Sequence, residues 1–339
     1  MNRRLASILF VLTVLISCSL PVSTVTPPTA TPTPVPAVTP THTALPPLPT
    51  AELGLVENPL ILALPPSSNT QAQTEAARVL ADQFTQRTGH VVVVIVPDSY
   101  STLVEALEKG NAHIVLLDPF SYELAYQMGL VHAVYAVVKE EKTAYGAQFI
   151  ASRKGEFKSY FNEASQINSA EAAEALAQFA DKKPCWSDEF SASGYVLPLG
   201  YLNKHQVTTQ PAAFVQGHPT VVRSIYAGGI CDFGATYVDA RKFPSLEDQY
   251  PDLMEQVLVV WRIPEIIPYE VLAFSTSMPP EMRDLLAEII PAILQTTDGK
   301  AAIKTAYDID ELLPVNDAYY AEFREYVRAS QVELSGLVK

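Results

Sequence analysis

The chain has 339 residues, of which 23 are Lys or Arg and 37 are Asp or Glu, for a formal net charge of −14. So acidic a chain is a poor partner for nucleic acid, which needs clustered cations. It still admits a small anionic ligand, provided uncharged donors hold it.

The first four residues, Met1-Asn2-Arg3-Arg4, are a short basic start, and residues 5–16 are an apolar run. That run is shorter than the roughly 20 residues needed to cross a bilayer. Leu15-Ile16-Ser17-Cys18 resembles a bacterial lipobox. Residues 1–17 are therefore expected to be a lipoprotein signal peptide, with Cys18 lipidated and holding the protein on the outer face of the cell membrane. That face would be periplasmic in a cell with two membranes. An uncleaved signal anchor is the alternative. Between residues 21 and 50 lie ten prolines interleaved with threonine. Proline fixes φ and cannot donate a hydrogen bond, so residues 18–56 are expected to be an extended linker.

The remaining residues alternate apolar runs with helical patterns, which is α/β organisation, and their number suits two lobes. Residues 59–64 predict a buried strand and 65–69 a hydroxyl-rich turn containing Ser68. Residues 70–88 predict an amphipathic helix ended by Gly89, and 90–96 a β-branched strand buried on both faces. A short helix over 100–109, closed by Gly110, and a strand over 113–117 complete a β-α-β-α-β run with parallel strands and right-handed crossovers. Asp118-Pro119-Phe120-Ser121-Tyr122 then opens a helix over 123–128, and a strand follows at 131–139.

In the second half, helices are expected over 170–180, 193–203 and 219–228, and strands over 184–186, 231–237 and 256–260. Helices over 279–295, 299–307 and 316–330 close the chain. The expectation is an α/β fold of two lobes, each a mostly parallel sheet flanked by helices. Residues 57–147 plus 263–339 form lobe 1 and 148–262 form lobe 2, with crossings near 146–150 and 261–266. Apart from Cys18 the cysteines are Cys185 and Cys231. An even pair in an oxidising compartment suggests a disulfide, with two unrelated buried thiols as the alternative.

The catalytic signatures HExxH, paired CxxC, GxSxG and GxxxxGKS do not occur. The six histidines have no metal-ligand spacing, so no cofactor, metal or enzymatic reaction is expected. What the sequence does hold is a set of helix starts rich in hydroxyls and glycine. Ser191-Ala192-Ser193-Gly194 follows a strand and precedes an apolar helical stretch. The first amides of a helix lack partners and the dipole adds positive potential there, so two serines can complete an oxyanion cradle. An ordinary serine cap is the alternative. Gly217-His218-Pro219, Asp118 to Tyr122 and Pro97-Asp98-Ser99-Tyr100 are further helix entries, and ligands collect at the carboxyl ends of strands in such sheets.

Six segments in order resemble the phosphonate-binding proteins, the substrate-binding components of ABC importers for phosphate, phosphite and phosphonates. They are residues 100–107, Asp118-Pro-Phe-Ser-Tyr122, Ser191-Ala-Ser-Gly194, Gly217-His218, residues 227–236 and Ile267-Pro-Tyr-Glu270. The resemblance implies a type II periplasmic-binding-protein fold that closes on its ligand about a hinge. It places oxyanion-binding residues at Ser191, Ala192, Ser193 and Gly194, cleft tyrosines at Tyr100 and Tyr145, and the family's histidine at His218. Carboxylates that hold an aminophosphonate amine fall on Asp239 and Glu270. Ser68, Ser121 and Tyr122 are further candidates at strand-to-helix junctions. Ala192 stands where the family usually has Thr, and Pro219 where it often has Glu. In this fold the strands carrying Cys185 and Cys231 are neighbours, which favours their disulfide.

The implied role is a monomeric, lipid-anchored solute-binding protein that delivers a phosphonate-class oxyanion to a membrane permease. A relative retuned to another small solute is the alternative, for which Ala192 and Pro219 are the reasons. A sensory lipoprotein without transport is another.

Overall fold

The structure is a computed structural model that describes residues 51–66 and 70–339. The expected signal peptide, Cys18, the proline-rich part of the expected linker and Ser68 lie outside the described residues. The folded unit begins earlier than residue 57. Gly54 N–H donates to Asn58 O at 2.7 Å, and Val91 N–H donates to Gly54 O at 2.7 Å.

Thirteen strands are present among the described residues: β1 Leu60–Ala63, β2 Val92–Ile95, β3 Ile114–Leu117, β4 Val131–Val138, β5 Ala144–Ser152, β6 Phe161–Asn162, β7 Ile167–Asn168, β8 Pro184–Trp186, β9 Ala213–Phe214, β10 Phe233–Tyr237, β11 Val257–Pro268, β12 Val271–Ser275 and β13 Glu311–Pro314. One sheet runs β13-β4-β12-β3-β1-β2 and the second runs β11-β5-β10-β8-β9. β6 and β7 form a separate hairpin.

Each sheet is mixed where mostly parallel pairing was expected. β1 pairs in parallel with β2 and β3, whereas β12 lies antiparallel to β3 and β4, and β13 antiparallel to β4. In the second sheet β8 is parallel to β9 and β10, while β5 runs antiparallel to β10 and β11. β12 and β13 were not anticipated from the sequence, and they supply the antiparallel half of the first sheet.

Why these residues form these layers is clear from β3, whose four residues are all buried. Ile114 and Leu116 pack with Leu60, Leu80 and Phe84 on one face, and Val115 and Leu117 with Leu103, Leu107 and Tyr122 on the other. A strand covered on both faces has no polar side to present, so it reads as a continuous apolar run. β2 was expected to be buried likewise, yet it is the edge strand and Val93 is 40% exposed. The helix Thr70–Thr88 matches its expected bounds and Gly89 ends it at φ 70°.

The chain passes from the first sheet to the second between β4 and β5, and returns between β11 and β12. β5 and β11 pair from Ser152↔Val257 out to Ala144↔Pro268, so the two crossings run side by side. The final helix departs from the expected lobe assignment. Helix Ala321–Ser330 packs against helix Leu197–Lys204 beside the second sheet. Tyr326 and Tyr201 stack with centroids 3.7 Å apart and ring planes within 6°. On its other side Arg324 pairs at 2.7 Å with Glu123, which is fully buried in helix Pro119–Gln127 of the first half. Residues 321–339 therefore bridge the two halves. Cys185 and Cys231 form the disulfide, with Cα atoms 5.6 Å apart. Among the described residues no helix is long and apolar enough to cross a membrane.

Candidate functional site

A cavity of about 580 Å³ opens between the two sheets. Its first wall is the turn after β3, where Asp118, Pro119 and Phe120 start a helix. Its floor is Tyr145 of β5 and Tyr269, next to β11, with rings stacked 5.5 Å apart. Its second wall is Phe190 to Ser193 after β8, His218, and Tyr237 and Val238 at the end of β10. Several of these residues follow the carboxyl ends of parallel strands, the usual ligand position in α/β sheets.

The second wall is a helix start that brings backbone amides and serine hydroxyls together. Residues 192–196 form one turn with i→i+5 bonds, continuing into helix Leu197–Lys204, whereas the sequence predicts an ordinary helix from residue 193. Single turns of this kind are frequent at functional sites. Val196 N–H donates to Ser191 O at 3.0 Å, so the amides of Ala192 and Ser193 precede the first helical bond. Ser191 Oγ accepts from Gly194 N–H at 2.9 Å and lies 3.4 Å from His218 Nε2.

Gly194 is required by close packing behind the turn. A Cβ there would sit 1.9 Å from Ser187 Oγ and 2.9 Å from His218 Cε1. Its missing side chain lets the cradle turn pack against the serine and histidine behind it.

His218 is the first residue of helix His218–Ala227, and the cap is Gly217 at φ 97°. A positive φ of that size strains any side chain. Shifting the cap to glycine frees the imidazole to face the cavity. Its Nδ1 accepts from Tyr237 N–H at 3.4 Å, and the ring stands edge-on to Tyr237 at 4.8 Å. Burial lowers its pKa, with nearby Asp188 opposing. The neutral tautomer with Nδ1 accepting carries its proton on Nε2, toward Ser191. Burial pushes the Tyr145 hydroxyl up to about 12, while its hydrogen bond with Ser193 works the other way. The phenol therefore stays protonated and available as a donor.

Ser191, Ala192, Ser193, Tyr145 and His218 thus meet at one cavity. Tyr100 lies beside it, its hydroxyl raised by burial and then by the charges of Asp118 and Glu270. Four expected ligand residues are occupied elsewhere. Ser121 is fully buried, and its hydroxyl donates to Asp118. Tyr122 is fully buried and donates to Asp317 at 2.6 Å. Asp239 accepts from Arg241 Nη2 at 2.7 Å and from Gln148 Nε2 at 2.7 Å. Burial works to raise the Asp239 carboxyl, but the Arg241 bond and charge hold it low. Glu270 pairs with Lys139, whose Nζ lies 3.0 Å from one carboxylate oxygen and 3.1 Å from the other.

Sequence reasoning did not single out Asp118, Phe120, Phe190, Tyr237 or Tyr269 as lining residues. Phe190 directly precedes the serine turn and Tyr269 sits within the Ile267 to Glu270 segment, so adjacency was the available signal. Among the described residues, no Lys or Arg lines the cavity. Nor do they hold a group of three or more His, Cys, Asp or Glu suited to a metal ion.

Residues 62–320 match the family described as ABC transporter, phosphonate, periplasmic substrate-binding protein. The chain belongs to that family. It is 27% identical over 238 residues to the phosphate-import protein PhnD of Mycolicibacterium smegmatis, covering 67% of this chain and 69% of the relative. Among solved structures, XAC2383 from Xanthomonas citri bound to ATP superposes with a TM-score of 0.58 at 16% identity. That match covers 82% of this chain and 99% of the other. The same protein bound to chloride gives 0.57 at 17% identity, over 80% and 97%. At such identities the structural matches show the two-lobed fold. Family membership places the chain among extracytoplasmic, transport-linked solute-binding proteins.

Proposed function

We propose that this protein captures a phosphorus oxyanion of the phosphonate, phosphite or phosphate class in the cavity between its sheets and hands it to an ABC permease. The observation that carries this reading is the convergence of neutral donors on one wall and floor. They are the Ala192 and Ser193 amides, the Ser191 and Ser193 hydroxyls, the His218 Nε2–H and the Tyr145 phenol. Fixed dipoles of this kind replace the hydration of an oxyanion without a matching cation, and they explain how a chain of net charge −14 accommodates an anion. The phosphate-import relative supports the same ligand class. Binding on this reading is non-covalent.

The chain acts as a monomer on this reading, tethered outside the membrane through Cys18 and its proline-rich linker. Approach of the two walls is accommodated at the paired crossings of β5 and β11. Calorimetric titration with methylphosphonate, phosphite, phosphate and sulfate tests the ligand class, and Ser193→Ala tests the site. Losing one donor to a charged group costs about 1.5–3 kcal/mol, so affinity should fall roughly tenfold or more. Unchanged affinity in that variant refutes the assignment. Failure of the whole series to bind refutes the ligand class.

A further inference from the structure

We propose that Asp118 makes the cleft selective for protonation state: the ligand is taken up with one proton held between the Asp118 carboxylate and a ligand oxygen. This rests on reading the cavity as a phosphorus-oxyanion site and adds which ionic form that site accepts. The carboxylates expected to face the ligand, Asp239 and Glu270, are held by Arg241 and Lys139. Among the described residues, Asp118 is the carboxylate that lines the cavity, on the wall formed by the start of helix Pro119–Gln127.

Asp118 also changes what the first wall offers. It ends β3 and caps the helix Pro119–Gln127, accepting from Phe120 N–H at 2.9 Å and Ser121 N–H at 3.2 Å on Oδ1, and from the Ser121 hydroxyl on Oδ2. Pro119 has no N–H, so the helix start carries no free amide at its first three positions for a ligand. The amides of this helix end are filled by the protein's own carboxylate. One wall therefore donates hydrogen bonds, and the other presents an acceptor with a spare lone pair on Oδ2.

Among the described residues no Lys or Arg lines the cavity with Asp118, although Lys339 Nζ lies 3.1 Å from the ring centroid of Phe190 on the second wall. Tyr100 comes from the neighbouring helix, Tyr145 and Tyr269 from the floor, and His218 and Tyr237 from the far wall. Glu270 adds a second negative charge nearby, with Lys139 as its own partner. Burial and then Glu270 act to raise the Asp118 carboxyl, against its three hydrogen bonds, so a shared proton is stabilised there. A fully ionised dianion would meet a bare carboxylate, which is specificity by repulsion. A ligand oxygen carrying a proton meets a strong acceptor.

The test uses the full chain and two probes of similar shape. Methylphosphonate loses its second proton near neutrality, whereas methylsulfonate is singly charged and carries none. Affinities are measured by calorimetry between about pH 6 and pH 9. The wild type should weaken for methylphosphonate by about tenfold per pH unit above the second ionisation. It should bind methylsulfonate at least ~100-fold more weakly at the lower pH. Asp118→Asn keeps a capping oxygen and should remove the pH slope while narrowing the gap between the two probes. Asp118→Ser, also a good cap, repeats the comparison if the amide variant folds poorly.

Measurable binding with no pH slope overturns the proposal. So does a slope that persists in Asp118→Asn and Asp118→Ser, because the Asp118 carboxylate would then not set it. If folded wild-type protein binds no phosphorus oxyanion at any pH, the reading of the cavity itself fails, and this proposal with it.

Discussion

Asp239 and Arg241 form a closed pair behind the cleft, with Nη2 donating to Oδ2 at 2.7 Å, Nε donating to Oδ1 at 3.0 Å, and Arg241 only 1% exposed. Arg241 also reaches Glu163 and the Val257 carbonyl, so the guanidinium joins three segments of the second lobe. Removing one member of such a pair leaves an uncompensated buried charge, at a cost of about 3–5 kcal/mol. Asp239→Ala should therefore lower the denaturant midpoint strongly while leaving the oxyanion affinity of the folded fraction within about twofold. A large affinity loss with unchanged stability would return Asp239 to the ligand.

Gly194→Ala should damage the site itself. The added carbon would lie 2.7 Å from Ser187 Cβ and 2.9 Å from His218 Cε1, so both neighbours must move. Overpacking of this kind costs about 1–3 kcal/mol, and the shift displaces the serine turn and the imidazole together. Calorimetry should show affinity down by tenfold or more, and thermal melting should show a lower midpoint.

Gly200→Ala probes the bridge made by the C-terminal helix. Its Cβ would approach Tyr326 O at 2.1 Å, and this contact is backbone. The helix must move away, breaking the Tyr201–Tyr326 stack, whose pairing alone contributes about 0.5–1.5 kcal/mol. Hydrogen exchange should show loss of protection over residues 321–330, with the amides of β1 and β3 unaffected.

Stability should fall as the unliganded protein is acidified below pH 6.5. Burial lowers the pKa of both His113 and His218 from the 6.5 of a free imidazole. His113 Nδ1 accepts from Ile61 N–H at 3.0 Å, which holds that ring neutral. Below 6.5 the unfolded chain binds these protons and the folded chain does not, so stability present above 6.5 is lost as pH drops toward the folded values. Thermal midpoints across that window should decline, and His218→Asn should flatten part of the decline. A midpoint that rises on acidification through 6.5 would contradict the neutral assignment.

Much of the architecture could be read from local pattern. The helix over 70–88 has a clear 3.6-residue periodicity and a glycine stop, and β3 is an unbroken apolar run. β12 escaped because Val271–Ser275 is too short to separate from the segment before it, and β13 because only four residues, mostly exposed, pair with β4. The C-terminal helix was recognised, but its partner was not. Amphipathicity reports that a face must be buried, and says nothing of which lobe covers it.

At the site, the serine turn and His218 were legible because helix starts carry their chemistry locally. Asp239 and Glu270 misled because a carboxylate's role depends on which cation the fold brings to it. Arg241, two positions from Asp239, was a warning in plain sight. Lys139 reaches Glu270 from 131 residues away and gave none.

The most direct test is a crystal structure of the protein grown with methylphosphonate. Phosphorus should lie between the Ser191 to Ser193 turn, His218 and Tyr145, with one ligand oxygen against Asp118. Ligand bound outside the cavity between the sheets, or within it but turned away from the serine turn, would contradict the account.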